Sequence, residues 1–347
     1  MSEVSKQRPV VALSDFAGQG ALYDGLMRTL QEGTFVHAYL ISGMQGMGKR
    51  TLARLIAQFM LCESSEKACG VCPACVQVAD GNHPDVIVVT PGKPLCPDVR
   101  QGMQSIPVDE IRYVLSLVAQ HTFTGGMRIV IIEHADKMNP QAANALLKTL
   151  EEPLPNTMFL LLTDAPELLL STIISRCRAL KLHPWADDLI LEVLRERGVP
   201  DAMARNALGV CGGSIGRAVE IAADEEFWQR RRDVMQDFLG LSGRSDILRV
   251  SGSWRERKDD AQALLDDLED MIRTMLLVRL GRQDASLLAE YPEPWKKMAE
   301  SAELKAFIDL MEAVSEARRL RASQVTWQAV VEKLLLRLME EKNKWST

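Results

Sequence analysis

The sequence predicts an α/β domain built on a parallel sheet, followed by regions that are helical throughout. Three observations lead to this prediction. Residues 36–182 alternate short apolar runs with segments of helical period, a pattern typical of a doubly wound parallel sheet covered on both faces. A glycine-rich loop, GMQGMGKRT at 43–51, separates the first apolar run from the first helical segment. Beyond 183–185 the strand signals disappear.

Five apolar runs are the predicted strands: VHAYLIS (36–42), DVIVVT (85–90), RIVIIE (128–133), MFLLLT (158–163) and RALKL (178–182). Apolar residues recur at helical spacing directly after the glycine loop, which predicts a helix there. A second helix is expected to begin near Pro140 and to end at Pro153.

Helical signals continue to the end of the chain. DDLILEVLRERG, DAMARNALGVCGG and SIGRAVEIAADEE predict three short helices in a small domain over 185–225. Three apolar stripes in 226–347 indicate the core of a helical bundle: Leu264, Leu268, Met271, Ile272 and Met275; Leu304, Phe307, Ile308 and Met311; Trp327, Val330, Val331, Leu334, Leu335 and Leu338. A broader stripe would instead indicate an interface with other subunits. We expect domains at 1–184, 185–225 and 226–347.

Composition excludes several classes of protein. With 347 residues, 47% of them hydrophobic, the chain can bury more than one core, because single cores stop growing at about 250–300 residues. The net charge of −6 disfavours a free-standing, nonspecific DNA binder, which would be strongly basic. No run of about 18 apolar residues and no signal-peptide core is present. We therefore expect a cytoplasmic protein with no membrane partner.

The loop follows the phosphate-binding pattern G-x-x-x-x-G-K-[ST] as far as Lys49. Its backbone N–H groups could cradle a phosphate because glycines at three positions, Gly43, Gly46 and Gly48, let the chain turn without a Cβ. A glycine turn that merely packs is the alternative. The flanking strand and helix favour a nucleotide site for ATP or ADP, with Lys49 at the terminal phosphates.

Arg50 stands where the pattern requires a hydroxyl that holds Mg²⁺. Thr51 lies one residue further along the helix, rotated by about 100°, and is a poor substitute. Glu133 ends a predicted strand, where an acidic residue completes the metal site of P-loop nucleotidases. His134 follows, and a histidine at a strand end is more often an ordinary hydrogen-bonded residue than a base. These residues disfavour Mg²⁺ binding, and on the residues alone the question whether the chain hydrolyses a nucleotide stays open.

Four of the seven cysteines form the pattern C-x₆-C-x₂-C-x₂-C: Cys62, Cys69, Cys72 and Cys75. Four thiolates at this density predict a closed, structural Zn²⁺ site. An iron–sulfur cluster is the competing interpretation, although the C-x₃-C-P continuation of the ferredoxin pattern is missing. Disulfides would suit a secreted protein. The other three cysteines are expected to be buried thiols: Cys96, Cys177 and Cys211.

Two arginines have alternative roles that their spacing does not decide. Arg176, in STIISRC just before the last strand, is either a solvated surface residue or an arginine finger that reaches a neighbour's triphosphate. Arg217, in GSIGRA at a helix start, is either a surface charge or a group that closes onto a phosphate.

Together these segments resemble the AAA+ subunits of the bacterial DNA polymerase III clamp loader. HAYLISGMQGMGKRTLAR, CGVCPAC followed by NHPDV, ANALLKTLEEP and ISRC occur in the order and spacing of that family, over residues 1–225. The resemblance implies an AAA+ domain with a zinc module, a helical lid, and a helical collar that assembles a pentamer.

Within that family the chain is most similar to the delta prime type, with gamma/tau as the close relative. Arg50 and the Glu133-His134 pair depart from the ATPase pattern, and GSIGRA looks like delta prime. The resemblance implies a DNA replication subunit that joins gamma/tau and delta in a hetero-pentamer and meets the sliding clamp and primer-template DNA through the complex. It would belong to the polymerase holoenzyme, a nucleotidyltransferase complex, without hydrolysing ATP itself.

The resemblance also assigns roles to single residues. Arg176 would be the finger donated in trans to a gamma/tau site, Thr163 would be sensor 1, and Arg217 would be sensor 2. Two other functions remain as alternatives. The first is an active ATPase of the gamma/tau type; the second is an interaction-only zinc protein whose loop is a relic, and the acidic composition disfavours a nucleic-acid role for it.

Overall fold

The computed structural model describes residues 13–120, 122–281, 291–323 and 325–345. The chain forms two compact units. The first comprises Met1–Ala186 and Gly213–Arg217, and the second comprises Asp187–Gly212 and Ala218–Thr347. The three domains expected from the sequence divide the chain differently, and that division stays a prediction. Among the described residues, none of the helices combines the length and apolar character needed to span a bilayer.

Helices and strands alternate through the first unit. Their order is α1 (Ala21–Gln31), β1 (Ala38–Ser42), α2 (Lys49–Leu61), α3 (Pro73–Asp80), β2 (Val86–Val89), α4 (Val108–Val118), β3 (Arg128–Ile132), α5 (Pro140–Glu151), β4 (Thr157–Thr163), α6 (Ser171–Ile174) and β5 (Arg178–Lys181). The strands form one sheet in the order β2-β3-β4-β1-β5, and every pair is parallel. All five predicted strands are confirmed, with ends that differ by no more than two residues.

Burial distinguishes the central strands of the sheet from its edge strand β5. Every residue of β1, β3 and β4 is buried, as expected for central strands of a parallel sheet. β5 lies at an edge, and only Leu180 of its four residues is buried. Ser42 pairs with Thr163, and Ile132 pairs with Leu161, so β1, β3 and β4 end at one edge of the sheet. The segments that follow these strands therefore meet there.

The second predicted helix begins and ends as the sequence indicated. Asn139 caps α5 by accepting a hydrogen bond from the Ala142 N–H at 2.8 Å, and Pro140 is the first helical residue. The helix ends at Glu151, two residues before Pro153. The helix thus starts from a side-chain cap and stops where a proline could not continue it.

The remaining helices are α7 (Asp187–Glu196), α8 (Asp201–Val210), α9 (Ile215–Ala222), α10 (Glu225–Gly240), α11 (Arg244–Glu256), α12 (Ala261–Arg279), α13 (Glu293–Ser301), α14 (Leu304–Ala322) and α15 (Trp327–Lys344). The three short helices and the helical C-terminal region are confirmed. With the parallel sheet, they give the predicted α/β domain followed by helical regions.

One of the three apolar stripes was assigned wrongly in part. Leu304 and Ile308 of α14 are 50% and 59% exposed, while Phe307 is fully buried and Met311 packs partly against the core. The core face of α14 instead runs through Phe307, Leu310 and Val314. Leu304 and Ile308 are one turn apart on a different face, which spacing alone did not separate from the core face. The first stripe is buried throughout, and so is the third apart from the partly buried Trp327.

Candidate functional site

The glycine loop joins β1 to α2 at the edge of the sheet where β3 and β4 end. Gly43, Gly46 and Gly48 all have positive φ angles, of 152°, 76° and 94°. A Cβ atom at Gly46 would lie 2.4 Å from the Ser214 hydroxyl and 2.8 Å from the Arg217 backbone nitrogen. Both the backbone angle and this close approach therefore require glycine at position 46.

The carbonyl oxygens of the loop bind donors from the same unit. Lys49 Nζ donates to the carbonyls of Gly43 and Met44 at 2.6 and 2.8 Å. Three further donors hold the carbonyls of residues 45–47: Ser214 Oγ to Gln45 and the Gly216 N–H to Gly46, both at 2.9 Å, and Trp185 Nε1 to Met47 at 3.1 Å. These hydrogen bonds fix the loop through its backbone C=O groups.

Lys49 also forms an ion pair with Asp164, the residue that follows β4. Its side chain is 11% exposed, against 34% for Asp164. A phosphate at the loop would have to replace the contacts that this ammonium group makes. Sequence reasoning did not single out Asp164, although its place directly after a predicted strand, on the edge that carries the loop, was a usable signal.

Arg50 forms a bidentate ion pair with Glu133. The Arg50 Nε–H donates to Glu133 Oε1, and Nη2–H donates to Oε2 at 2.5 Å. The hydroxyl of Thr90, just after β2, donates to the same Oε2 at 2.9 Å. The Glu133 side chain is 8% exposed and that of Arg50 is 57% exposed. Arg50, which replaces the hydroxyl of the metal-site pattern, is thus in direct contact with Glu133, the acidic residue that the sequence keeps.

The other positions near this edge have structural partners. Thr163 is buried, and its hydroxyl donates to Asp136 at 2.7 Å and accepts the Ala165 N–H at 3.1 Å. His134 is a non-glycine residue at φ 50° and ψ 53°, and its Nδ1 lies 3.9 Å from an Asp164 oxygen. Thr51 is partly buried in the first turn of α2. The donors that bind Glu133 belong to Arg50 and Thr90.

The backbone of Arg217 lies beside the loop. The first three residues of α9 belong to the first unit, and the Arg217 N–H donates to the Ser214 hydroxyl at 3.2 Å. Ser214 thereby binds both the start of α9 and the loop carbonyl of Gln45. The Arg217 side chain is exposed. The structure brings this arginine to the loop and leaves its predicted contact with a phosphate as a proposal.

Arg176 lies between α6 and the edge strand β5. Its Nη2 is 2.5 Å from an oxygen of Glu151, at the end of α5, and its Nη1 donates to the Thr172 carbonyl at 3.0 Å. The side chains are 34% and 48% exposed. Glu151 was not identified from the sequence, because only the fold brings the end of α5 next to α6.

The four cysteines of the predicted metal site converge at one point. Their sulfur atoms all lie within 4.8 Å of one another, with Cys62 Sγ 3.5 Å from Cys69 Sγ and 3.9 Å from Cys72 Sγ. Sulfur atoms bound tetrahedrally to Zn²⁺ at about 2.3 Å are about 3.8 Å apart. The donor set therefore fits a closed zinc site, in which all four thiols would bind as thiolates.

The cysteine side chains differ in their surroundings. The Cys75 N–H points at Cys72 Sγ from 3.5 Å and, with the Glu63 N–H, lowers the pKa of the Cys72 thiol to about 6. Burial raises the pKa of the Cys75 thiol. Among the other cysteines, Cys96 and Cys211 are buried as expected, whereas Cys177 is only partly buried. A bound cation would hold even the buried Cys75 as a thiolate.

Comparison with known proteins identifies the family. A family model described as DNA polymerase III, delta subunit, matches residues 18–186. DNA polymerase III subunit delta' of Bacillus subtilis is 31% identical, over 91% of this chain and 94% of that protein. The Haemophilus influenzae delta' is 29% identical, over 91% and 92%. The Escherichia coli tau subunit is 34% identical, over 53% of this chain and 27% of that protein. This chain belongs to the DNA polymerase III delta' family, with tau as a relative.

Proposed function

We propose that this chain is a noncatalytic subunit of a clamp loader, of the delta prime type, which joins an ATPase ring without hydrolysing ATP itself. The observation that carries the proposal is the ion pair between Arg50 and Glu133. In an active P-loop ATPase the residue after the lysine supplies a hydroxyl to Mg²⁺, and an acidic residue at the strand end completes the metal site. Here those two positions bind each other.

The loop remains suited to hold a phosphate of ATP or ADP. Its carbonyl oxygens are engaged by donors of the same unit, which favours a phosphate on the N–H side, at the N-terminus of α2. Lys49 would exchange Asp164 for the phosphate. Arg217 lies close enough to the loop to serve as a second cation. Thr163 and Thr51 are the other side chains that we propose for the nucleotide site.

Arg176 is the group that we propose acts on another subunit. It lies beside the edge strand β5 of the sheet and is partly exposed, so it can be presented to a neighbour. An arginine finger given in trans is worth about 10³–10⁵ in the rate of hydrolysis. A subunit that does not hydrolyse ATP itself can therefore still control hydrolysis at the site of a neighbouring subunit.

The partners and the remaining parts of the chain follow from the family. We propose gamma/tau and delta subunits as partners in a hetero-pentamer, with the sliding clamp and primer-template DNA met through the complex, in the cytoplasm. We also propose that 1–184 is the AAA+ domain, 185–225 the lid and 226–347 the collar. The cysteine site would bind a structural Zn²⁺ that fixes the end of α2 to α3.

ATPase measurements on the purified chain, alone and mixed with gamma/tau and delta, test the proposal. We expect no turnover by the chain alone and stimulated turnover in the mixture. Arg176→Ala should remove most of that stimulation. Arg178→Ala is the matched control, because Arg178 is an exposed arginine two residues away on β5, and it should leave the stimulation unchanged.

Two outcomes would contradict the proposal. Stimulation that survives Arg176→Ala would show that the finger comes from another residue. Turnover by the chain alone that is lost in Lys49→Ala would reassign it as an active ATPase of the gamma/tau type.

A further inference from the structure

The Glu133 carboxylate has both of its oxygens bound by donors of this chain. Arg50 reaches Oε1 through Nε and Oε2 through Nη2, and Thr90 donates to Oε2 at 2.9 Å. A planar guanidinium and a carboxylate match in this two-point geometry, which is stronger and better oriented than a single hydrogen bond. The Glu133 side chain is 8% exposed, so the pair is anchored on its acidic side.

A divalent cation does not fit this arrangement. Mg²⁺ needs oxygen ligands at about 2.0–2.1 Å in near-octahedral geometry, and it would have to displace a fixed positive charge to reach Glu133. The neighbouring carboxylates also have partners, because Lys49 pairs with Asp164 and the Thr163 hydroxyl donates to Asp136. The hydroxyl that follows the lysine in the usual pattern is absent at position 50.

Arg50 nevertheless keeps donors for a second partner. The guanidinium group has five N–H donors in a fixed plane, and the pairing with Glu133 uses those on Nε and Nη2. Its side chain is 57% exposed in the first turn of α2, the turn that carries Lys49. A cation is therefore already held beside the phosphate loop, fixed by the residue that would otherwise fix a metal.

We propose that the Arg50 guanidinium is a built-in replacement for the divalent cation, so that this loop takes the phosphates of a nucleotide without Mg²⁺. The inference rests on the proposed nucleotide loop. Glu133 is then a positioning residue that orients Arg50. The loop is specific for metal-free nucleotide, in contrast to a P-loop in which the metal bridges the phosphates and the acidic residue.

Binding of a fluorescent ADP to the full-length chain, in EDTA and in Mg²⁺, is the first test. The wild-type affinity should be no higher in Mg²⁺ than in EDTA, because Mg²⁺ withdraws free ADP from a site that takes the nucleotide without metal. Arg50→Thr restores the hydroxyl after Lys49 and releases Glu133, so its ADP affinity should become at least about tenfold higher in Mg²⁺ than in EDTA. The double variant Arg50→Thr, Glu133→Gln should lose that dependence on Mg²⁺.

Mn²⁺ added with ADP gives a readout that does not depend on affinity or on hydrolysis. Electron paramagnetic resonance should detect one bound Mn²⁺ in Arg50→Thr, and none at this site in the wild type or the double variant. A bound Mn²⁺ in the wild type that disappears in Glu133→Gln would overturn the inference, as would wild-type ADP binding that needs Mg²⁺.

The wild-type measurements keep the inference testable even if a variant fails to fold. If wild-type ADP binding is missing in both EDTA and Mg²⁺, the metal-free site is wrong. The assembly role remains a separate question, decided by the Arg176-dependent stimulation in the mixed complex.

Discussion

Arg176 and Glu151 are joined by an ion pair of 2.5 Å, which links the end of α5 to the segment between α6 and β5. Both side chains are a third to a half exposed, and pairs of this kind contribute about 0.2–1 kcal/mol. The ion pair therefore holds Arg176 in one orientation, and its release costs little free energy. A partner's triphosphate, with several negative charges, can draw the guanidinium away from a single carboxylate.

A double-mutant cycle on the isolated chain measures this pair. We expect a coupling free energy of about 0.2–1 kcal/mol between Arg176→Ala and Glu151→Ala in urea unfolding, because water screens both partners. A coupling above about 2 kcal/mol would mean that Arg176 is a structural residue, and its release to another subunit would then be too costly for the proposed role.

A buried ion pair in the same unit should contribute much more to the free energy of unfolding. Arg128 and Asp85 are 3% and 0% exposed, their closest atoms are 3.2 Å apart, and Asp85 also accepts the N–H groups of Phe123 and Thr124. Arg128→Met leaves a buried carboxylate without its cation, and we expect it to lower the free energy of unfolding by about 3–5 kcal/mol.

The matched control for that experiment is Arg112→Met. Arg112 pairs with Asp109 at 3.6 Å with both side chains mostly exposed. Its replacement should change the free energy of unfolding by less than about 1 kcal/mol. Similar losses in the two variants would contradict the assignment of the Arg128 pair as a structural element.

Removal of the metal should destabilise the first unit. We expect one Zn²⁺ per chain by elemental analysis, and a chelator should lower the free energy of unfolding by about 3 kcal/mol or more, because the cation binds the folded arrangement of thiols. Cys72→Ser should lower the zinc content and the stability together. Cys177→Ser is the control, since Cys177 lies outside the cluster and burial raises the pKa of its thiol to about 11.

The outcome of that analysis also decides between the two metals considered for the site. Iron together with acid-labile sulfide, with absorption in the visible range, would favour the iron–sulfur alternative. A purified chain that contains no metal and keeps its stability in the chelator would remove the metal site altogether.

The sequence predicted the parts of the molecule that depend on local pattern. Continuous apolar runs located the central strands β1, β3 and β4, because parallel strands buried on both faces need apolar residues at every position. The edge strand β5 was also located, although only Leu180 of its residues is buried. Glycines between strand and helix located the loop, and cysteine spacing located the cluster. The phase of the stripe on α14 was missed, since Leu304 and Ile308 are as apolar as the buried Phe307.

The contacts of the site depended on the fold and could not be predicted from spacing. Arg50 and Glu133 were each singled out, but their pairing joins positions 83 residues apart, and nothing in either local pattern indicates it. The same holds for Lys49 with Asp164. Both pairs follow from the strand order, which places the ends of β1, β3 and β4 on one edge.

His83, in the NHPDV segment, should make the stability of the fold depend on pH. Its side chain is buried, and its Nδ1 accepts the Asp85 N–H at 3.1 Å, so the neutral ring carries its proton on Nε2. Burial lowers the pKa of His83 below 6.5, and the opposing effect of the Asp85 and Glu63 charges is smaller. The unfolded chain therefore binds a proton more readily than the folded one.

The sign of the effect follows from that difference. The contribution of His83 is fully present above pH 6.5 and is lost as the pH falls below it, with a slope of at most about 1.4 kcal/mol per pH unit for one proton. His83→Asn is the matched variant, because its side-chain oxygen can accept the same N–H and cannot be protonated in this range. Urea unfolding at pH 7.5, 6.5 and 5.5 should show a steeper loss in the wild type than in His83→Asn. The cysteine site is common to both proteins, so the difference between their slopes isolates the imidazole, and parallel slopes would show that His83 does not titrate differently on folding.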